Sequence, residues 1–253
     1  MNYLEKDKLY CSQGDTSGKH EPKKIFIGAE GCYLFDECGV KYLDMQMYNS
    51  AANFGYKNEA YSECMKNSLE TLPCLAGEFM SKSRIDLSEK ICQYMYKNHG
   101  VRGRVHFTVG GAQAVDDAMK IAINFNQKRG FLAFEGAYHG RTMASSSVSS
   151  SYRYTRQFGS VMNVQRIPFP NCFSCAYDKC PTDCGLYCLK KFKQKFESEF
   201  SGFYDNSHSD AAYSAFIFEP VLGRGGYVFP NEKYYIELCS FLHEHNILVI
   251  ADE

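Results

Sequence analysis

From about residue 60 onward, short apolar runs alternate with amphipathic segments of roughly ten to fifteen residues, and this alternation constrains the fold more than any other feature of the chain. Strands covered on both faces read as continuous apolar runs, and the helices between them supply the crossovers that parallel pairing requires. The spacing predicts strands over residues 105–109, 130–134, 215–218 and 247–251, with helices near 112–126 and 232–245. A mostly parallel α/β sheet with flanking helices follows. In such sheets ligands sit outside the carboxyl ends of the strands, so the residues just after each strand are the candidates for a site. Residues 25–44, IFIGAEGCYLFDECGVKYLD, differ. There apolar and polar residues alternate around Gly31 and a turn-like Asp-Glu-Cys-Gly at 36–39, which predicts a small antiparallel β unit.

With 253 residues, 45% hydrophobic and 23% charged, the chain can bury one large core, or one core and a piece of another. A net charge of -1 supplies no global field toward nucleic acid or an anionic membrane, so small-molecule chemistry is favoured over either partner. The polar N-terminus lacks the apolar stretch of a signal peptide, and no later run is long enough to span a bilayer; the expected location is cytoplasmic. Of twelve cysteines, seven are scattered singly among apolar or helical segments and are expected to be reduced, buried thiols.

Four strand ends carry chemistry. After 105–109 comes Gly110-Gly111-Ala112-Gln113-Ala114, followed at once by a helix. Glycine lets a backbone approach a phosphate, and the free N–H groups of a new helix favour its charge, although a tight connection alone also explains a Gly-Gly turn. The segment fits neither G-x-G-x-x-G nor G-x-x-x-x-G-K-[ST]. After 130–134 comes Glu135-Gly-Ala-Tyr138-His139-Gly140-Arg141-Thr142, where an aromatic ring can stack on a flat heterocycle or simply pack on the core. After 215–218 comes Glu219-Pro220-Val-Leu222-Gly223-Arg224-Gly-Gly226-Tyr227, and after 247–251 comes Asp252. An acid that directly follows a fully apolar strand needs a partner for its charge, such as a metal or a protonated nitrogen, unless it reaches the surface.

Taken together, in this order and spacing, the segments resemble the class III (ω-amino acid) aminotransferases of pyridoxal-phosphate fold type I, over nearly the whole chain from about Gly28 to Glu253. The resemblance implies that residues 1–60 form the N-terminal segment of a small domain, with its β meander, and residues 61–253 an incomplete large domain that binds pyridoxal 5'-phosphate. It implies that the backbone N–H groups of Gly111 and Ala112 hold the phosphate, Tyr138 stacks on the pyridine ring and His139 lies beside it. Asp252 accepts a hydrogen bond from the protonated ring nitrogen, and Glu219 lies near the ring edge and orders the Asp252 side of the pocket. The implied activity moves an amino group from an ω-amino acid or amine (4-aminobutyrate-, ornithine- or lysine-like) to a keto acid such as 2-oxoglutarate, in a homodimer. A lyase or aminomutase acting on an amino alcohol or aminophosphonate uses the same fold and cofactor, and a non-catalytic metal-bound module is the third reading.

Three departures from the family pattern stand out. The family's Schiff-base lysine follows the Asp-Glu strand by roughly one more strand and loop, and no lysine of this chain takes that place, so the chain is expected to be an N-terminal part, inactive alone. Arg224 stands where many members carry a gating glutamate, and it suits direct binding of a substrate carboxylate or phosphonate as well as a place on the surface; Gln113 and Leu222 also replace more usual residues. Finally, a Cys-rich insertion at 168–190 places Cys172, Cys175, Cys180, Cys184 and Cys188 within seventeen residues. Thiols this close suit zinc or an iron–sulfur cluster, as in some relatives acting on 4-aminobutyrate, or a reduced structural cluster.

Overall fold

The computed structural model describes residues 2–11, 24–151, 159–179, 182–205, 207–208 and 210–253. The chain forms two compact units, Met1–Val105 and His106–Glu253.

The first unit opens with helix α1 (Tyr3–Tyr10) and then builds the expected meander from β1 (Phe26–Glu30), β2 (Tyr33–Asp36) and β3 (Lys41–Leu43), paired antiparallel in that order. Asp36 makes the second turn. Its Oδ1 accepts from the backbone N–H of Cys38 (3.0 Å) and Val40 (2.9 Å), its Oδ2 accepts from the Tyr42 hydroxyl (2.9 Å), and Gly39 takes the left-handed φ of 76° that the reversal needs. Helices α2 (Glu59–Thr71) and α3 (Lys82–His99) follow, the latter ending on left-handed Gly100; neither contains a buried residue. Cys11, Cys32, Cys38, Cys64 and Cys74 are therefore exposed, which corrects the expectation of buried thiols in this half of the chain.

The second unit contains α4 (Gly111–Asn126), β4 (Gly130–Phe134), α5 (Met143–Val148), β5 (Asn163–Ile167), α6 (Tyr187–Phe196), the short ribbon β6 (Tyr204–Asp205) and β7 (Asp210–Ala211), β8 (Tyr213–Phe218), α7 (Glu232–Glu244) and β9 (Leu248–Ala251). Strands β5-β4-β8-β9 form one sheet in that order, every pair parallel. Alternate residues of a strand face opposite sides. Leu132, Phe134, Phe216 and Phe218 accordingly pack with Phe192 and Phe196 of α6 and Leu238 and Leu242 of α7, while Phe131, Ala133, Ala215 and Ile217 pack with Val115, Met119 and Ala122 of α4 and Val148 of α5. Helices on both faces explain why these strands are apolar throughout.

Two segments depart from the sequence expectation. Residues 105–109 are not a strand: a strand exists by pairing, and no described strand lies beside them, so Phe107 and Val109 remain exposed. Strand β5 was not anticipated, because as a half-exposed edge strand, NVQRI, it carries no continuous apolar run. The polar run Ser145-Ser146-Ser147 is buried in α5; Ser146 and Ser147 return their hydroxyls to the Met143 carbonyl (3.1 and 2.8 Å), which lets the helix pack without unsatisfied groups. Among the described residues no helix is long and apolar enough to cross a membrane.

Candidate functional site

The carboxyl ends of β4, β8 and β9 bring together residues far apart in sequence. Asp252 directly follows β9, and its backbone N–H donates to the Phe218 carbonyl (2.9 Å), so the ladder holds it one residue beyond the strand. Its Oδ2 lies 2.8 Å from Nδ1 of His139, whose side chain is wholly buried while that of Asp252 is 28% exposed. With the carboxylate as acceptor, Nδ1 is the donor of this hydrogen bond. Nε2 is buried and has no hydrogen-bond partner among the described residues. The His139 backbone is fixed in turn, its N–H donating to Ser149 Oγ (2.9 Å). Asp252 can take a second hydrogen bond on Oδ1, from a cationic N–H at the sheet edge.

Glu219, at the end of β8, braces two loops. Oε1 accepts from the Tyr138 backbone N–H (2.6 Å) and Oε2 from that of Gly223 (2.8 Å), while the Tyr235 hydroxyl holds the Glu219 carbonyl (3.0 Å). Burial pushes the Tyr235 hydroxyl well above its ordinary value, so it remains a donor. The loop after Glu219 is a tight hairpin in which Leu222 pairs with Val228, and a Cβ on Gly225 would lie 2.3 Å from Leu222 Cδ2 and 2.9 Å from the Gly136 carbonyl. At its tip the Arg224 guanidinium lies 5.6 Å from the centre of the Tyr138 ring, and that of Arg141 lies 6.0 Å from it. Two cations thus border one half-buried aromatic, an arrangement suited to anionic groups.

Gly140 joins this loop to the start of α4. Its φ is 127°, and a Cβ there would meet Ala112 Cβ at 2.7 Å and Ser145 Oγ at 2.6 Å. Asp116 of α4 adds a bond from the Ser145 backbone N–H (2.9 Å). The helix start itself is uncapped by any side chain, and Cβ atoms on Gly110 or Gly111 would meet nothing within 4 Å. Free N–H groups with open space before them can receive an anion. The contacts therefore link Ala112, Tyr138, His139, Glu219, Arg224 and Asp252 into one edge of the sheet. Asp116, Ser149 and Tyr235, which support that edge, escaped the sequence reading because their partners are remote in sequence.

The cysteine cluster lies elsewhere, beyond the end of β5. Cys172, Cys175, Cys184 and Cys188 line one cleft; Cys180 falls outside the described residues. Among the described residues no three His, Cys, Asp or Glu side chains are grouped to hold a metal ion. Burial also pushes the Cys188 thiol up, with Cys184 and Cys172 adding to the shift, which favours thiol over the thiolate a metal requires. No zinc or iron–sulfur site is shown among the described thiols.

Comparison with known proteins identifies the family and the fold. The sequence profile of the family "Aminotransferase class-III" matches residues 17–253. A probable 4-aminobutyrate aminotransferase of Bacillus subtilis is 27% identical, the match covering 99% of this chain and 55% of that protein. A leucine/methionine racemase of Thermococcus litoralis is 26% identical over 90% of this chain and 50% of its own length. The crystal structure of the omega transaminase from Pseudomonas jessenii in complex with PMP superposes with a TM-score of 0.83 at 24% identity, covering 99% of this chain and 56% of that one. The chain spans about half the length of the curated relatives it matches. The fold is that of the pyridoxal-phosphate transferases of fold type I, and the chain belongs to the class III aminotransferase family.

Proposed function

We propose that the protein serves pyridoxal-phosphate-dependent transfer of an amino group from an ω-amino acid or amine (4-aminobutyrate-, ornithine- or lysine-like) to a keto acid such as 2-oxoglutarate. The observation that carries the reading is the Asp252–His139 pair at the end of β9, a carboxylate held at 2.8 Å by a buried imidazole. Such a carboxylate can hold a protonated ring nitrogen, and the open, uncapped start of α4 at Gly111 and Ala112 can hold a phosphate. When bound, the cofactor supplies an electron sink for the substrate's C–H bond. In this reading Asp252 keeps the ring charged, His139 keeps Asp252 oriented and excludes water behind it, and Glu219 positions the backbone of Tyr138 so that its ring stacks. Arg224 receives a carboxylate or phosphonate of the substrate, and Arg141 borders the same space.

The reading also assigns residues 1–60 to a small domain and 61–253 to the large one, a cytoplasmic location, and a homodimer. The transfer belongs to a polypeptide that also carries the family's lysine. A second reading, an isomerisation or elimination on the same cofactor, is favoured by the likeness to a leucine/methionine racemase. Amino transfer requires a keto acid acceptor, whereas the second chemistry proceeds without one, so product formation with and without 2-oxoglutarate in the longest polypeptide carrying this sequence separates them.

The cofactor site is tested on its own by titrating the protein with pyridoxal phosphate and following absorbance. Asp252→Asn keeps the shape and the bond to His139 but loses the charge. Its affinity is expected to fall about 10- to 100-fold, since a charge-assisted hydrogen bond contributes about 1.5–3 kcal/mol. Unchanged affinity would remove the basis for the reading.

A further inference from the structure

Strand β5 carries a cation on the face that α5 covers. Arg166 lies two residues from Val164, which packs on the α4 and α5 side of the sheet, so its side chain runs under α5. Its Nη2 donates to the Ser147 carbonyl and to the Ser149 carbonyl (2.8 Å), while Nε is buried without a hydrogen-bond partner among the described residues. Carbonyls at the end of a helix lack intrahelical donors and form its negative pole, so a cation is favoured there. An apolar side chain would serve a half-buried place on an edge strand at least as well, and it would leave no buried donor unpaired. What it could not do is fix the two carbonyls at the end of α5.

The end of α5 clamps the candidate site. Ser149 Oγ accepts from the His139 backbone N–H (2.9 Å) and donates toward the carbonyls of Gly140 (3.2 Å) and Ser145 (3.0 Å), and the Ser150 N–H donates to the Ala137 carbonyl (2.9 Å). Residues 137–140 are thus held at both ends by the two residues that follow α5. His139 Nδ1 in turn meets Asp252 Oδ2 at 2.8 Å. A connected series of hydrogen-bonded residues therefore runs from Arg166 through Ser149 and His139 to Asp252, from β5 at one edge of the sheet to the end of β9 at the other.

We propose that Arg166 is a positioning residue for cofactor binding, an inference that rests on the proposed function. By fixing the end of α5 it holds His139, and through His139 the Asp252 carboxylate, in the orientation that receives a protonated ring nitrogen. Arg166 acts only through these neighbours, so its influence is a coupling that paired substitutions measure.

Titration with pyridoxal phosphate, followed by absorbance, is carried out on the unsubstituted protein, Arg166→Gln, Ser149→Ala and the double variant. Arg166→Gln is expected to bind about 3- to 10-fold more weakly, a smaller loss than that of Asp252→Asn because the carboxylate keeps its charge. Ser149→Ala should weaken binding by a similar factor, and the double variant by no more than the larger of the two, since both remove the same link. A double variant whose loss is the product of the single losses would show that Arg166 does not act through Ser149 and would overturn the proposal. The cofactor-free protein supplies a second readout by NMR. In protein with nitrogen-labelled histidine, the His139 Nδ1 proton, identified by its absence in His139→Gln, should shift or exchange faster with water in Arg166→Gln; an unmoved resonance would overturn the proposal whatever the affinity. Arg166→Met, which keeps an apolar stem, takes the place of Arg166→Gln in both measurements where that variant fails to fold. Failure of the unsubstituted protein to bind pyridoxal phosphate would overturn the proposed function and this inference together, whereas binding weakened by Asp252→Asn but not by Arg166→Gln would overturn the inference alone.

Discussion

At the scale of single residues, the candidate site depends on two glycines for opposite reasons. Gly140 has a φ of 127° and no room, since a Cβ would meet Ala112 Cβ at 2.7 Å and Ser145 Oγ at 2.6 Å. Gly110 has an extended φ of 176° and open space. Gly140→Ala is therefore expected to destabilise the protein by about 1–3 kcal/mol, the range for a strained backbone position. Gly110→Ala should change stability by no more than about 0.5 kcal/mol, while its added methyl crowds the phosphate cradle and weakens the binding of pyridoxal phosphate. Urea denaturation and cofactor titration on the two variants separate these effects; equal destabilisation by both would contradict the assignment of the open space to a ligand.

At the scale of elements, one side chain of α4 adds hydrogen bonds to the packing that holds this helix on the sheet. In the pairing of β4 with β8 the register shifts between Gly130 and Phe131, so that Ser214 of β8 is passed over. Asn126, the last residue of α4, satisfies it: Nδ2 donates to the Ser214 carbonyl (2.8 Å) and Oδ1 accepts from the Ser214 hydroxyl (3.0 Å). Asn126→Ala leaves both buried groups without partners and is expected to cost about 1–3 kcal/mol. The double variant with Ser214→Ala should recover part of that loss, a coupling that chemical denaturation of the single and double variants measures. This bulge also shows why legibility stops at elements. Residues 130–134 and 215–218 announce themselves as strands because helices cover both faces, whereas the extra residue at Ser214 leaves no local pattern. Residues 105–109 show the converse, an apolar run whose strand character depends on a neighbour that the run itself cannot specify.

At the scale of the whole molecule, titration limits stability on both sides of neutrality. The Ser207 hydroxyl, then His208, hold Asp205 well below the usual carboxylate range, and the Tyr56 hydroxyl with the backbone N–H groups of Met47 and Gln46 holds Asp44 below it. A carboxylate with a lowered folded value contributes stability above its unfolded value of 3.8, and that contribution is lost as pH falls through the folded value. Acid should therefore erode stability only below about pH 4 on account of these two groups. Tyr213 has the opposite sign: burial pushes its hydroxyl from 10.0 up to about 12, and burial drives Tyr234 and Tyr235 the same way. The Tyr213 contribution is complete below pH 10.0 and disappears as pH rises toward about 12. Urea midpoints measured across pH should fall at both ends, and Tyr213→Phe should flatten the alkaline limb; an unchanged limb in that variant would show that Tyr213 does not contribute to it.

By itself the sequence determined the class of fold, the strands at 130–134, 215–218 and 247–251, the meander, the helix that starts at Gly111, and the strand-end segments bearing Tyr138, Glu219 and Asp252. These are local properties: apolar continuity, helical spacing and turn chemistry act between residues a few positions apart. Only the tertiary structure decided that His139 turns Nδ1 to Asp252 across 113 positions, that Glu219 braces Tyr138 and Gly223 together, and that Cys172 and Cys188 border one cleft. Hydrogen bonds and packing of this kind form between whichever groups the sheet order brings side by side. That order, β5-β4-β8-β9, follows from strand pairing and from how helices cover the two faces, not from any one segment's composition.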